Sequence, residues 1–280
     1  MTSFLTRSPL RALLALGFVL AVASLGATRA SAQAPTVGLQ TWSLRNMSFD
    51  QVVDFATQHG FKQLQMFGRH MDPLAPAEET LRKKAILDAK GLTLYTFGVT
   101  NTSLNQEENR KLFEFAKLMG VKVIVVEPRD FRILDLLEAL VKEYDIKIAI
   151  HNHGIRTLYG NPLVVKTLIG HRDPRVGVCL DVGWVTAAGF DAAKVFKEYE
   201  GRVYDIHLKD KRTERTNGGE DVHLDVMVGT GQANYSGLLA EMKAANWSGV
   251  MAIETDNAEF AKDPTAFVLG AREFIQKNAP

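Results

Sequence analysis

Short apolar runs rich in β-branched residues alternate with longer amphipathic stretches over most of the chain. The longer stretches carry apolar residues at a spacing of about 3.6, which predicts helices, whereas the short runs predict buried strands. Glycine follows several of the predicted helices, as expected where a helix ends and the chain turns into a strand. The predicted strands cover residues 37–40, 62–66, 92–97, 121–126, 146–150, 176–180, 203–208 and 250–253.

Eight such strand–helix units in a chain of 280 residues predict an α/β protein built as a (β/α)8 TIM barrel. A doubly wound open sheet is the alternative, but no Gly-x-Gly-x-x-Gly pattern of a dinucleotide-binding fold follows the first strand. The sequence contains no internal repeat and no interdomain linker. Residues 33–280 are therefore predicted to form a single domain.

Residues 1–32 are predicted to be a signal peptide rather than part of the fold. Two arginines precede an apolar run at residues 12–27, and Ala30-Ser31-Ala32 provides the small residues that signal peptidase recognises. The run is short for a membrane span, so no stable membrane anchor is expected after cleavage near Ala32; an uncleaved anchor is the alternative. The sequence therefore predicts a periplasmic or secreted protein.

The charge balance gives little support to a nucleic-acid partner. Loss of residues 1–32 would take away three arginines and no acidic residue, leaving 30 basic and 32 acidic residues without a basic stripe. The single cysteine, Cys179, cannot form an internal disulfide and is predicted to be a small buried residue.

Four predicted strands end on a side chain that can bind a metal ion: His151, Asp181, His207 and Glu254. The carboxyl ends of parallel barrel strands meet at the face where barrel enzymes hold their active sites. Each residue alone would indicate a hydrogen-bonded structural group, but the coincidence of four favours a metal site. Two imidazoles and two carboxylates predict one divalent ion, Mn²⁺ before Zn²⁺, Co²⁺, Fe²⁺ or Mg²⁺.

Two further charged residues are predicted to share the catalytic work with Glu254. Glu127 ends the fourth strand on the same face as Val125, so its carboxylate is expected beside the metal; a rim carboxylate paired with Arg129 is the alternative. Lys209 lies on the same side of its strand as the preceding metal-binding histidine. It would stabilise an enolate oxygen, or act as an acid if burial lowers its pKa, and an exposed rim lysine is the alternative.

Polar and aromatic residues near the strand ends are assigned to substrate binding. An aromatic ring suits the C–H face of a sugar, although such rings more often pack in a core. A histidine two residues after a ligand lies on the same face of the strand and can reach a substrate hydroxyl. The residues assigned in this way are His153, Trp42, Gln40, Phe67 and Trp184.

A long polar connection at residues 210–232 follows the seventh predicted strand. It is too long and too rich in glycine for an ordinary strand-to-helix loop, which favours a cover over the top of the barrel rather than a floppy surface loop. His223 and Asp225 within it are expected to be exposed to solvent; side chains that reach the pocket are the alternative. Asp256, beyond the last strand, is expected to be a loop carboxylate; a residue that orients a ligand is the alternative.

The segments Val-Cys-Leu-Asp-Val-Gly, Ile-His-Leu-Lys-Asp and Ala-Ile-Glu-Thr-Asp resemble the xylose-isomerase-like TIM-barrel superfamily of sugar isomerases and epimerases, which also includes endonuclease IV. The resemblance implies a small carbohydrate substrate and one metal held by Glu, Asp, His and Glu. The last three of these match Asp181, His207 and Glu254. It also implies that two of the glutamates shuttle a proton at the carbon next to a carbonyl.

Two residues depart from the pattern of this superfamily. His151 stands where many relatives have Glu, which removes one of the two carboxylates that epimerisation uses. Trp184 stands where relatives commonly have a His that endonuclease IV needs for its zinc cluster, so a DNA-repair function is disfavoured.

Three functions follow from these residues. The first is a divalent-metal sugar isomerase or epimerase that abstracts a proton next to a carbonyl and forms an enediolate. The second is an exported metal-dependent lyase or hydratase acting on 3-keto-glycosides, which the loss of a base at His151 favours. The third is a non-catalytic barrel that binds a sugar or a metal.

Overall fold

Eight parallel strands close into a barrel in the computed structural model, which describes residues 35–199 and 201–279. These strands are β1 (Thr36–Gln40), β2 (Gln63–Met66), β3 (Thr93–Thr100), β4 (Val123–Val126), β5 (Lys147–His151), β6 (Val176–Asp181), β7 (Val203–Leu208) and, after two strands outside the barrel, β10 (Val250–Ile253). Each predicted strand overlaps one of them. The closed order β1-β10-β7-β6-β5-β4-β3-β2 confirms the predicted (β/α)8 barrel.

Helices lie between the strands in the chain and pack around the barrel. They are α1 (Phe49–Gln58), α2 (Ala77–Ala89), α3 (Gln106–Met119), α4 (Ile133–Tyr144), α5 (Pro162–Gly170), α6 (Val182–Ala187), α7 (Ala192–Glu198), α8 (Tyr235–Ala244), α9 (Ala258–Lys262) and α10 (Thr265–Asn278). A short 3₁₀ helix, Thr41–Leu44, directly follows β1. Helix α3 ends at Gly120, whose φ of 77° is the left-handed conformation that glycine adopts without strain.

The predicted signal peptide at residues 1–32 lies outside the described residues and stays a prediction. Within residues 35–199 and 201–279, no helix is long and apolar enough to cross a membrane.

The interior of the barrel is lined by small side chains near the strand ends. Val125, Ala149 and Cys179 form a small buried cluster separate from the large core in which the strands pack on the helices. Because side chains alternate along a strand, Ala149 and Cys179 lie on the same faces as His151 and Asp181. Small inward residues leave space at this end of the barrel for the polar groups described below. Cys179 is fully buried, as predicted.

Residues 210–232 contain a β-hairpin rather than a floppy loop. Strands β8 (Asp210–Arg215) and β9 (Asp221–Val226) pair antiparallel in a separate two-stranded sheet. The carboxylate of Asp210 closes the base of this segment, because it accepts hydrogen bonds from the backbone N–H groups of Gly229, Gly231 and Ala233 at 2.9 to 3.1 Å. The hairpin could not be predicted from this polar, glycine-rich sequence, because strand pairing depends on the partner strand rather than on local apolar runs.

The expected exposure of both hairpin residues is wrong. Asp225 is buried, with 7% of its surface exposed, and its carboxylate pairs with Lys211 and accepts a 2.9 Å hydrogen bond from the hydroxyl of Thr255. His223 is half-buried and lies 2.9 Å from the hydroxyl of Thr213. The hairpin thereby joins the segment that follows β10.

We expect Asp210→Ala to lower the free energy of unfolding by about 3 kcal/mol, because three backbone donors lose a charged acceptor. Urea denaturation followed by circular dichroism measures this change. Asp221→Ala is the control, since Asp221 is an exposed residue on the same hairpin and should cost no more than about 0.5 kcal/mol. Equal stability of the two variants would contradict the role of Asp210 at the hairpin base.

Candidate metal centre and the cavity beside it

The structure brings together the four residues predicted to bind a metal. His151 and Asp181 end β5 and β6, His207 lies near the end of β7, and Glu254 directly follows β10. One nitrogen or oxygen atom of each lies within 4.8 Å of the others. All four side chains are buried, so that little water competes for these atoms.

Each of these residues directs at the others one atom that makes no hydrogen bond, although the two carboxylate oxygens also lie 3.2 and 3.1 Å from Nζ of Lys209. In the described part of the chain, Nε2 of His151, Oδ2 of Asp181, Nδ1 of His207 and Oε2 of Glu254 have no hydrogen-bond partner. Nδ1 of His207 lies 2.6 Å from Oε2 of Glu254 and 3.8 Å from Oδ2 of Asp181, without hydrogen-bond geometry. Buried polar atoms are rarely left unpaired, and two imidazole nitrogens with two carboxylate oxygens suit a divalent transition metal.

Outer hydrogen bonds hold both histidines with the required nitrogen free. Nδ1–H of His151 donates to Glu127 Oε2 at 3.4 Å, and Nε2–H of His207 donates to Gln65 Oε1 at 2.6 Å. In the neutral ring, which metal binding requires, the other nitrogen of each histidine carries a lone pair toward the four-residue cluster. Such outer contacts are what orient metal-binding imidazoles in proteins.

The protein supplies its own positive charge to the two carboxylates of the cluster. Burial opposes the charge on His207, but nearby acidic groups, including Glu254 and Asp181, outweigh burial and raise the pKa of His207 well above its usual range. The pKa of His151 is raised in the same way by Asp181 and Glu127. Burial would raise the pKa of Asp181, but Lys209 and the two histidines lower it well below its usual range.

Lys209 is buried among carboxylates rather than exposed on the rim. Its Nζ lies 3.2 Å from Asp181, 3.1 Å from Glu254 and 2.9 Å from Asp256. Burial alone would lower the pKa of Lys209, but these carboxylates raise it well above the usual value, so the condition for a role as an acid, a pKa lowered by burial, is not met. Gly183 makes the space, because a Cβ there would lie 2.8 Å from Cγ of Lys209.

Glu127 pairs with two histidines instead of with Arg129. Its Oε2 lies 3.4 Å from Nδ1 of His151 and 3.3 Å from Nδ1 of His153. Partial burial opposes the charge on Glu127, but the hydrogen bonds to the histidines outweigh it and lower its pKa to about 2. The carboxylate is therefore ionised at neutral pH and orients both rings.

A cavity of about 210 Å³, which we call the inner cavity, opens beside the cluster and reaches two of its members, His151 and Glu254. Its wall includes the residues predicted to bind substrate on the early strands and after β5, together with Glu127. These residues are Gln40, Trp42, Phe67 and His153. The rings of Trp42 and Phe67 meet edge to face at a centroid distance of 5.4 Å, which presents an aromatic corner to the cavity.

Trp184, which is predicted to bind substrate, is not among the described residues that line the inner cavity. Asp181 caps helix α6 by accepting a hydrogen bond from the backbone N–H of Trp184 at 2.8 Å, which fixes Trp184 in the first helical turn. Its ring packs against His153 at 5.0 Å and lies beneath Nζ of Lys211 at 3.7 Å. Trp184 therefore supports the cavity wall from behind.

Asp256 belongs to the site, whereas the sequence favoured a plain loop carboxylate at this position. Its carboxylate lines the inner cavity, contacts Lys209, and accepts a hydrogen bond from Nε1–H of Trp42 at 3.2 Å. The signal available in the sequence was its spacing two residues beyond Glu254, which resembles the spacing of His153 after His151.

A buried polar layer below the cluster was also missed. Gln65 donates to Asp205 at 2.5 Å and to Thr96 at 2.6 Å, and the hydroxyl of Tyr95 donates to Asp205 at 2.8 Å. Asp205 lies two residues before His207 on the same face of β7, so a polar residue inside a predicted strand was the signal that could have found it. This layer anchors Gln65, which in turn orients His207.

A closed (β/α)8 barrel with four candidate metal ligands at the carboxyl ends of its strands has the architecture of a barrel enzyme. The sequence also matches the model of one protein family. Residues 53–277 match the family described as xylose isomerase-like TIM barrel. The chain belongs to this family, which confirms the resemblance seen in the sequence motifs.

Individual relatives share the fold at low sequence identity. Inosose dehydratase of Clostridium perfringens is 23% identical in an alignment 275 residues long. The aligned region includes 82% of this chain and 90% of the relative. The structure of the probable 3-DHS dehydratase AsbF of Bacillus anthracis superimposes with a TM-score of 0.69 and 17% identity, over 88% of this chain and 100% of that one. The IOLI protein with a bound zinc atom gives a TM-score of 0.69 and 15% identity, over 87% and 99% of the two chains.

Proposed function

We propose that this protein is a metal-dependent lyase that removes a leaving group from a ring-shaped polyol bearing a ketone. The observation that carries the proposal is the pair of Glu127 and His153 on the wall of the inner cavity, where a carboxylate orients an imidazole. Elimination needs one group that takes and returns a proton, whereas epimerisation needs a base on each face of the carbon. The dehydratase names of two relatives support this class of reaction.

The same proposal assigns one divalent ion to His151, Asp181, His207 and Glu254, and the convergence of four atoms that make no hydrogen bond supports it. When bound, such an ion polarises the ketone and an adjacent hydroxyl of the substrate. We propose Mn²⁺ before Zn²⁺, because half of the donor set is carboxylate oxygen. Metal analysis of the protein purified without added metal tests this order.

In the proposed reaction, His153 takes the proton from the carbon next to the ketone. Its Nδ1–H donates to Glu127, so Nε2 is the basic nitrogen, and the carboxylate stabilises the imidazolium that forms. The electron pair of the broken C–H bond forms a C=C bond, and the oxygen on the adjacent carbon leaves with the pair of its C–O bond. His153 then returns the proton to that oxygen, so that water or an alcohol departs.

Lys209 has a positioning role in this proposal. Its ammonium contacts Glu254 and Asp256, both of which line the inner cavity, and it remains charged throughout because its pKa is raised. Its positive charge therefore offsets the repulsion between the two carboxylates and holds them in place.

A sugar isomerase or epimerase is the second candidate, because a second proton acceptor is present. Glu254 and His153 both line the inner cavity, and isomerisation requires a group that takes a proton and one that returns it elsewhere. Glu254 would then combine the roles of ligand and base.

Incubation of Mn²⁺-loaded protein with inosose and with a 3-keto-glucoside in D₂O separates the two candidates. A lyase produces an unsaturated ketone and releases water or the aglycone, which NMR and ultraviolet absorbance detect. An isomerase or epimerase instead places deuterium in an intact sugar skeleton. Absence of both signals with both compounds would contradict the two enzymatic proposals and favour a sugar-binding barrel.

The raised pKa values of His151 and His207 predict a pH-dependent effect of metal on stability. Protonated histidines stabilise the metal-free fold below their unfolded pKa of about 6.5, and this contribution is lost as the pH rises through the higher folded values. A divalent ion needs the deprotonated rings. Saturating Mn²⁺ should therefore raise the melting temperature by about 5 °C or more at pH 8.5 and hardly at all at pH 5.5.

Differential scanning fluorimetry with Mn²⁺ or EDTA measures these shifts across the pH range. Glu254→Gln is the control, because it removes one candidate ligand. In this variant, the difference in melting temperature between Mn²⁺ and EDTA should be small at every pH. A Mn²⁺ effect that grows toward low pH would contradict the prediction.

We further propose that the protein is exported and that cleavage follows Ala32, on the evidence of the sequence alone. Amino-terminal sequencing of the protein from a periplasmic extract should begin at Gln33. A cytoplasmic protein that retains Met1 would contradict export.

A further inference from the structure

Two further cavities adjoin the inner cavity on the same face of the barrel, because neighbouring cavities have wall residues in common. The middle chamber, about 380 Å³, shares Val99, Glu127 and His153 with the inner cavity. The outer chamber, about 280 Å³, shares Thr100 and Asn101 with the middle chamber. Shared walls place the three cavities in a row, which we call the groove.

The outer parts of the groove offer hydrogen bonds rather than charge. The middle chamber carries the hydroxyl of Thr157, the amide of Asn101 and the guanidinium of Arg129. Arg129 is exposed and has no ion-pair partner among the residues that the structure describes. The outer chamber continues with Ser103 and Asn109. Hydroxyl, amide and guanidinium groups are the partners that sugar hydroxyls bind.

The balance of charge along the groove disfavours an anionic ligand. Glu127 lies between the inner cavity and the middle chamber and is ionised, while Asp72 and Glu108 line the outer chamber. Among the described residues, Arg129 is the one arginine on the walls of the middle and outer chambers, and no lysine lines them. An acidic ligand would therefore meet more negative than positive groups.

Each part of the groove also exposes one large apolar side chain. Trp42 in the inner cavity is 38% exposed, Leu158 in the middle chamber 45%, and Leu74 in the outer chamber 59%. Exposed apolar side chains beside polar ones mark surfaces that bind ligands. The repetition of this pairing in three adjoining cavities suits a ligand built from repeated units that each have an apolar face and a polar edge.

We propose that the groove binds an uncharged oligosaccharide of two or three rings. The reacting ring lies in the inner cavity beside the metal cluster, and the following rings lie in the middle and outer chambers. The assignment of the reacting ring rests on the proposed function, whereas the extended binding mode rests on the groove itself. The leaving group of the proposed lyase is then the remainder of the sugar chain, expelled toward the middle chamber.

The binding of neutral sugars of increasing length tests this inference. Isothermal titration calorimetry on the mature Mn²⁺-loaded protein compares D-glucose with cellobiose and cellotriose, and with maltose and maltotriose. In one of the two series, the trisaccharide should bind at least about tenfold more tightly than glucose, because added hydrogen bonds and apolar contacts accumulate. Equal affinities across both series, including no measurable binding of either trisaccharide, would overturn the proposal.

Arg129→Ala locates the effect in the middle chamber. It should weaken binding of the preferred trisaccharide about tenfold and leave glucose binding unchanged, because the guanidinium is replaced by a group without donors. Arg132→Ala is the matched control, since Arg132 is exposed in the same loop and pairs with Asp130. Equal weakening of glucose and trisaccharide by Arg129→Ala, or an equal effect of Arg132→Ala, would overturn the proposal.

The sugar-binding test of the groove and the turnover test of the proposed lyase can fail independently. Preference for longer sugars without turnover of any keto-sugar would support the groove and contradict the lyase. Turnover of inosose without preference for longer sugars would support the lyase and overturn the groove.

Discussion

Replacing Asp181 by asparagine will weaken binding of the proposed divalent ion by about 10³-fold, more than the 10–100-fold that changes in outer contacts of a metal site cost. Asp181 is fully buried, and its Oδ2 is directed at the other three candidate ligands. The substitution removes a negative charge but retains Oδ1, which caps helix α6. The fold should therefore persist while metal is lost, as measured by metal analysis after dialysis and by circular dichroism.

Asp191→Asn is the matched control for this experiment. Asp191 caps helix α7 by accepting hydrogen bonds from backbone N–H groups, as Asp181 does for α6, but it lies outside the four-residue cluster. This variant should retain the ion. If both Asp181→Asn and Glu254→Gln keep a stoichiometric ion, the assignment of the ligands is wrong.

His153→Ala should lower kcat by about 10³-fold on the substrate that the wild-type protein turns over, because general acid–base catalysis contributes about 10²–10⁴. The metal should remain bound, since His153 is not part of the four-residue cluster. Glu127→Gln should cause a smaller loss, because it removes the acceptor that orients His153 and stabilises its charged form. Steady-state kinetics combined with metal analysis tests both expectations.

A second histidine provides the control for His153→Ala. His223 lies on the hairpin beside Thr213, so His223→Ala should leave kcat within about twofold of the wild-type value. A variant at His153 that loses its metal together with its activity would argue for a structural role. Wild-type kcat in metal-loaded His153→Ala would refute its assignment as the base.

The barrel and its converging side chains were predictable because both depend on local patterns. Apolar runs define the strands, and parallel strands bring their carboxyl ends to one face. His151, Asp181, His207 and Glu254 therefore converge without any knowledge of long-range packing. The location of four predicted substrate residues on the wall of the inner cavity follows from the same rule.

Other features depended on contacts that no local pattern contains. The pKa of Lys209 rises because three carboxylates from two separate segments, at the end of β6 and after β10, surround its ammonium, and burial alone would have lowered it. Asp225 is buried because the hairpin brings it to Thr255. Trp184 lies behind the cavity because a helix begins directly at Asp181. For Lys209 and Asp225, the contacting residues are distant in sequence. For Trp184, the position depends on the direction in which its side chain leaves the helix.

The ammonium of Lys209, within 3.2 Å of three carboxylates, also has a practical consequence for work with this protein. This internal counterion is expected to let the acidic cluster survive removal of the proposed ion by a chelator. One preparation, stripped once, can then be reconstituted in parallel with manganese, zinc, cobalt, iron and magnesium. The identity of the physiological ion becomes a question of exchange and competition among ions rather than of refolding the chain for each.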